Sequence, residues 1–122
     1  MARERRKRPI GPDDWLTQLG RMTQAGSKYT NRPKDGQSDV SLWLGRLPVE
    51  RMVLLVGGPG RRLKKPDEVR HFRARSLLNA GFVLEADTEL VNGEQHVSVT
   101  VSGEWTDHHA TAFDACVEKG AR

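Results

Sequence analysis

Residues 82–101 read FVLEADTELVNGEQHVSVTV, and this stretch decides the fold of the chain. Its centre, Asn92-Gly93, is typical of a two-residue hairpin turn, because both residues accept a positive φ, and the turn pairs Val91 with Glu94. Counting outward from the turn gives each strand one mostly apolar face and one polar face. The predicted apolar-face pairs are Thr88–Val97, Ala86–Val99 and Leu84–Val101, and the polar-face pairs are Glu89–His96, Asp87–Ser98 and Glu85–Thr100. A slip of one residue would exchange the two faces, so the pattern predicts a β-hairpin with this register.

Three further segments have the pattern of helices. Residues 13–26 begin at Pro12-Asp13-Asp14, a good helix start, and carry apolar side chains at helical spacing before Gly26. Residues 66–81 begin with a proline and two acids, which suit the first turn of a helix, and end at Gly81. Residues 106–120 begin at Thr106 or Asp107, either of which can cap a helix, and end at Gly120. We therefore expect two helices before the hairpin and one after it.

Two segments between the first two helices have the pattern of strands. Apolar residues alternate with Ser41 and Trp43 over Val40–Leu44, whereas Met52–Val56 is a continuous apolar run, typical of a strand buried on both faces. With the hairpin, these segments predict an α+β domain that has a small, mostly antiparallel sheet with helices packed on one face. The second half would follow the order β-α-β-β-α, which is related to the ferredoxin-like arrangement.

The chain of 122 residues is long enough for one domain with one modest core. We expect residues 1–12 to form a disordered basic arm, because their positive charges repel one another and Pro9 and Pro12 disfavour a helix. Residues 13–122 then form the single domain. The lone Cys116 excludes an internal disulfide and a cysteine-based zinc site. No stretch resembles a signal peptide or reaches the ~18 apolar residues of a membrane span, so we expect a cytoplasmic protein without a cofactor.

Charge is distributed unevenly along the chain. Of the 20 Lys and Arg residues, 18 lie in residues 1–82, whereas the 16 Asp and Glu residues are divided equally between residues 1–82 and 83–122. The first part is therefore strongly basic and the last part acidic. Like charges at such density repel one another unless a partner neutralises them, so the two parts are expected to meet different partners.

Three basic segments predict binding to a nucleic acid through its phosphates. The arm binds by charge and counterion release, and the glycine-rich loop 57–65 offers free amides and cations to an anion, although it lacks the spacing of a mononucleotide-binding P-loop. The predicted second helix adds Arg70 and Arg73, one turn apart and expected to project together. The candidate phosphate-binding residues are Arg3, Arg5, Arg6, Lys7, Arg8, Arg61, Arg62, Lys64, Lys65, Arg70 and Arg73. Taken by itself, the loop is more typical of a plain basic connection, and anion binding is its other reading. DNA and RNA both remain open.

The leading hypothesis is therefore a non-enzymatic accessory or regulatory protein that binds nucleic acid, for example within a mobile element. An alternative is a cofactor-free ribonuclease of toxin type, in which His96, His108 or His109 acts as a general base with an acid such as Glu89. The predicted pairing weakens this alternative, because it turns His96 away from the face on which the last helix packs. A third hypothesis is an assembly protein whose acidic hairpin, through Glu85, Asp87 and Glu89, docks a basic protein.

Overall fold

A computed structural model describes residues 10–20, 29–57, 68–91 and 93–118, without the side chains of residues 56, 57 and 87–91. The elements in these ranges are β1 (Trp15–Gly20), β2 (Val40–Leu44), α1 (Val49–Gly57), β3 (Glu68–Arg73), α2 (Ala74–Asn79), β4 (Val83–Val91), β5 (Glu94–Thr100) and α3 (Asp107–Ala115). The strands form one antiparallel sheet in the order β3-β1-β2-β5-β4. The predicted α+β class is confirmed. No helix in the described ranges is long and apolar enough to cross a membrane.

Helices cover both faces of the sheet. On one side, here called the α2/α3 face, Leu77 of α2 and Phe113 of α3 pack on strand residues that include Leu42 and Phe72, all wholly buried. On the opposite side, the α1 face, Met52 and Leu55 of α1 pack against Trp43. The expectation that the helices pack on one face is therefore wrong. Alternation along the strands separates the two cores, because neighbouring residues point to opposite faces.

The segment after Pro12 is a strand, so the helix predicted over residues 13–26 is wrong where the structure describes it. The Asp14 backbone N–H donates to the Gly11 carbonyl at 3.1 Å, and the Asp14 carboxylate accepts from the Gly11 N–H at 2.8 Å. These bonds close a tight turn instead of capping a helix. β1 then lies between β3 and β2, and Leu16, Thr17 and Gln18 are all buried. Burial on both faces removes the alternation by which a strand is recognised.

The apolar run Met52–Val56 belongs to helix α1, so the strand predicted there is wrong. The Met52 N–H donates to the Pro48 carbonyl at 3.1 Å, which closes the first helical turn. Met52 and Leu55 lie one turn apart and face the sheet, whereas Leu54 is 42% exposed. A short apolar run fits either a buried strand or a helix, and packing on the sheet decides between them here.

The helix predicted over residues 66–81 is half strand. Glu68–Arg73 pairs with the whole length of β1, from Trp15↔Arg73 to Gly20↔Glu68, and only Ala74–Asn79 is helical. Gly81, with φ +95°, follows the helix and ends it as predicted. The order β-α-β-β-α does occur from β3 to α3, with a different first strand from the one expected. The helix α3 starts after Thr106 as predicted and stops at Ala115; Gly120 lies outside the described residues.

The hairpin forms with the predicted register at its tip and a shifted register beyond. Val91 pairs with Glu94 as expected, but a bulge between Ala86 and Leu90 places Ala86 opposite Val97. The pairs predicted beyond the bulge are therefore displaced by two residues. A shift of two keeps each side chain on its face, so the division into an apolar and a polar face survives.

Candidate nucleic-acid interface

A group of polar and aromatic side chains lies on the α1 face, beyond the part that α1 covers. It consists of Trp15, Arg46, His71 and Arg73, and we call it the Trp15 cluster. The pairing of β1 with β3 places Arg73 opposite Trp15. The Gly45 N–H donates to the Trp15 carbonyl at 2.6 Å, which holds the segment carrying Arg46 beside the same strand. Arg46 is exposed, and the other three side chains are half-buried.

Two guanidinium groups lie over the indole ring of Trp15. The Cζ atom of Arg73 is 4.0 Å from the ring centroid and that of Arg46 is 4.7 Å from it. Arg73 also donates from Nη1 to the carbonyl of Asp13 at 3.0 Å. A cation over a tryptophan face gains about 0.5–1 kcal/mol at an exposed site. The ring therefore holds both cations in place without neutralising their charge.

The described arginines divide into two groups by partner. Four of them form ion pairs with carboxylates: Arg32 with Asp107, Arg51 with Glu94, Arg70 with Asp114 and Arg75 with Asp13. Within the described residues, Arg46 and Arg73 have no carboxylate partner and stack on Trp15 instead. Their donors thus keep a positive charge that is available to an anionic ligand.

A buried threonine fixes the orientation of His71. The hydroxyl of Thr17 donates to the Gly45 carbonyl at 2.6 Å and accepts from the Leu47 N–H at 2.9 Å. Its Oγ1 is also 3.0 Å from Nδ1 of His71. A hydroxyl has one proton, and the Gly45 carbonyl already takes it, so the His71 Nδ1 must be the donor in this contact. The proton of the neutral ring is therefore on Nδ1, and Nε2 is an unprotonated acceptor.

The surroundings of His71 favour this neutral form. Burial, and then the positive charge of Arg46, lower the pKa of His71 below its ordinary value of 6.5. Its ring stands edge-on to Trp15, with 6.4 Å between the ring centroids. At neutral pH the Trp15 cluster thus presents two permanent cations and one uncharged imidazole.

The two main basic segments of the sequence lie outside the described residues, yet the structure shows where the chain enters and leaves them. The first segment, Arg3–Arg8, precedes Ile10, whose side chain packs against the core of the α2/α3 face near the turn that leads into Trp15. The second, Arg61–Lys65, lies between Gly57 and Glu68, the first residue of β3. The chain therefore reaches these segments at opposite ends of the β1–β3 pair.

Arg70 and Arg73 do not project together, because they lie on a strand and not on a helix. Arg70 points to the α2/α3 face, where Nε donates to Oε1 of Gln18 at 2.7 Å and Nη2 donates to Asp114 at 3.0 Å. Its Cζ lies 4.4 Å from the ring centroid of Tyr29. Burial lowers the pKa of Arg70, and the Asp114 carboxylate partly offsets this effect. The donors of Arg70 are thus committed to contacts within the protein.

The histidines of the predicted ribonuclease site lie on different faces. His96 is on the α1 face, where its ring meets Trp43 at 5.1 Å. His108 and His109 begin α3, which packs on the opposite face. Nδ1 of His109 accepts the Thr106 N–H at 2.9 Å and so caps the helix. The side chain of Glu89 lies outside the described part. The structure does not bring His96 together with His108 or His109.

The acidic strand of the hairpin lies at the edge of the sheet opposite β3. β3 forms one edge and β4, with Glu85, Asp87 and Glu89, forms the other. Four strand spacings of ~4.8 Å separate the two edges by ~19 Å. An anion bound at β3 would therefore lie away from the acids of β4. Within the described residues, no group of three His, Cys, Asp or Glu side chains is arranged to hold a metal ion.

Comparison with known proteins gives no further guide to this site. No protein-family model, curated protein sequence or solved structure matches the chain. The ferredoxin-like relation thus finds no support in a structural neighbour. The candidate site rests on its own geometry.

Sequence reasoning assigned no binding role to Trp15, Arg46 or Thr17, which the structure places at the centre of the candidate interface. The local pattern places Trp15 on a predicted helix and Arg46 shortly after the predicted strand Val40–Leu44. Trp15 is 31 positions from Arg46 and 58 positions from Arg73 in the sequence, so no local motif indicates the cluster. The pairing of β1 with β3 brings Arg73 and His71 to Trp15 and Thr17, and the Gly45–Trp15 backbone bond brings Arg46 there.

Proposed function

We propose that this protein binds nucleic acid through the Trp15 cluster and the basic segments that adjoin β3. The observation that carries the proposal is the state of Arg46 and Arg73, which stack on Trp15 while the other described arginines pair with carboxylates. Ordered guanidinium groups without a carboxylate partner suit phosphate oxygens, because their donors match the geometry of the anion.

The length of β3 supports an extended ligand. From Glu68 to Arg73 the strand rises by ~17 Å. A nucleic-acid strand of B-form spacing has one phosphate per ~3.4 Å of helix axis, so a ligand of about five nucleotides spans that distance. The chain leads into Arg3–Arg8 near one end and into Arg61–Lys65 at the other. A polynucleotide along this edge is long enough to span both of its ends, which a single mononucleotide is not.

The Trp15 cluster offers the guanidinium groups of Arg46 and Arg73 to phosphate charge. Affinity should then depend mainly on phosphates, with weak selectivity for sequence. Such binding is compatible with the proposed role as a cytoplasmic accessory or regulatory factor. Arg70, committed to Gln18 and Asp114, is not part of the proposed interface.

Binding can be tested by fluorescence anisotropy with labelled duplex DNA, single-stranded DNA and RNA over a salt series. Replacing one phosphate-contacting arginine should reduce the slope of log K against log salt by about 0.9 on duplex DNA and about 0.7 on a single strand. We expect this reduction for Arg46→Gln and for Arg73→Gln. Deletion of residues 1–8 should reduce the slope further.

Arg32→Gln is the matched control, because it removes the same charge from an exposed arginine that pairs with Asp107. It should leave the salt slope unchanged. An absence of binding at low salt to any of the polymers would reject the proposed function. Equal slopes for the wild type, Arg46→Gln and Arg73→Gln would reject the Trp15 cluster as the interface.

A further inference from the structure

His71 gives the Trp15 cluster a hydrogen-bonding character that two arginines alone would lack. Guanidinium groups only donate, so Arg46 and Arg73 select for acceptors such as phosphate oxygens. The contact with Thr17 keeps the proton of His71 on Nδ1 and leaves Nε2 as an acceptor. The Trp15 cluster therefore combines two cationic donors, Arg46 and Arg73, with a neutral acceptor, His71, on the α1 face.

An unprotonated Nε2 cannot bond to a phosphate oxygen, because both atoms are acceptors. A ligand that satisfies the whole cluster must carry a hydrogen-bond donor close to a phosphate. In a ribonucleotide the 2′-hydroxyl is on the carbon next to the one that bears the 3′-phosphate, and it can donate. Base amino groups also donate, but the sugar and the base ring separate them from the phosphate. DNA has no donor at the 2′ position.

We infer that the Trp15 cluster recognises RNA in preference to DNA, with Nε2 of His71 accepting a ribose 2′-hydroxyl beside a phosphate held by Arg46 and Arg73. This inference rests on the proposed function and identifies its ligand.

The test uses the full chain and three labelled single-stranded 12-mers of one sequence, made as RNA, 2′-O-methyl RNA and DNA. The 2′-O-methyl group keeps the oxygen and removes the donated proton. One hydrogen bond should make the RNA bind about 2- to 10-fold more tightly than the other two oligonucleotides at fixed salt and pH 7.5. This comparison needs no protein variant, so it does not depend on how a substitution folds.

A substitution then assigns the preference to His71. His71→Asn retains an amide N–H near the position of Nδ1, which can still donate to Thr17, and lacks any atom at the position of Nε2. We expect it to reduce the ratio of RNA affinity to DNA affinity to about one. His108→Asn, an exposed histidine on α3, should leave both affinities unchanged.

The outcomes separate the inference from the proposed function. Salt-dependent binding of equal strength to the three oligonucleotides would overturn the inference and leave nucleic-acid binding standing. A preference for RNA that persists in His71→Asn would also overturn it. Absence of binding to all three would instead reject the proposed function.

Discussion

Replacing Arg70 by methionine should destabilise the fold and have little direct effect on binding. Arg70 is 13% exposed and joins β3 to two other parts of the chain. Its Nε donates to Gln18 on β1, and its Nη2 donates to Asp114 on α3. Methionine retains the apolar stem of the side chain and loses both donors and the charge.

The size of the effect follows from what each partner loses. Gln18 is 5% exposed, so its Oε1 would lose its partner in a buried position, at a cost of about 1–3 kcal/mol. The side chain of Asp114 is 44% exposed and can be hydrated, which limits the value of its ion pair to about 0.5–1 kcal/mol. The stacking on Tyr29 adds about 0.5–1 kcal/mol. We therefore expect Arg70→Met to lower the free energy of unfolding by about 2–5 kcal/mol.

Urea denaturation followed by tryptophan fluorescence measures this change, and the melting temperature should fall by at least about 8 °C. Arg75→Met is the matched control, because its ion pair with Asp13 is exposed and should contribute less than about 1 kcal/mol. Adding Gln18→Leu to Arg70→Met removes the orphaned acceptor and should recover part of the loss. An Arg70→Met protein as stable as the Arg75→Met control would refute the structural role given to Arg70.

Three further results are expected. Gly20→Ala should lower the melting temperature, because the added Cβ would overlap the ring of Tyr29. Gly11→Ala should have a smaller effect, because its added Cβ would be in ordinary contact with Asp14. Equal melting temperatures for the two variants would contradict this packing. Cys116, whose thiol pKa is raised by burial, should react with iodoacetamide more slowly at pH 8 than a thiol in the urea-unfolded chain, and equal rates would contradict its burial. The pKa of His71 is lower in the folded than in the unfolded protein, so the unfolded state binds more protons as pH falls below about 6.5 and the free energy of unfolding should decrease there. Urea titrations at several pH values should show a smaller decrease for His71→Asn. An equal decrease would contradict the lowered pKa of His71.

The elements that the sequence predicted correctly are those specified by neighbouring residues. The Asn92-Gly93 dipeptide sets the hairpin tip, where Val91 pairs with Glu94 as counted. Thr106 starts α3, and Gly81 ends α2, because caps and positive-φ glycines act within one turn of the chain. The bulge between Ala86 and Leu90 escaped prediction, since a shift of two residues leaves the apolar pattern of the strands unchanged.

The sequence by itself thus determined the α+β class, the hairpin, the strand Val40–Leu44 and the uneven distribution of charge. Tertiary structure decided the identity of β1 and β3, which the local pattern assigned to helices. Contacts such as Thr17 with His71, 54 positions apart, stabilise these strands, so neither strand can be recognised without the other. The same pairing sets Arg73 on Trp15 and turns Arg70 into the core. Side chains on a strand alternate between faces, and this geometry separates the proposed phosphate contact from the structural one.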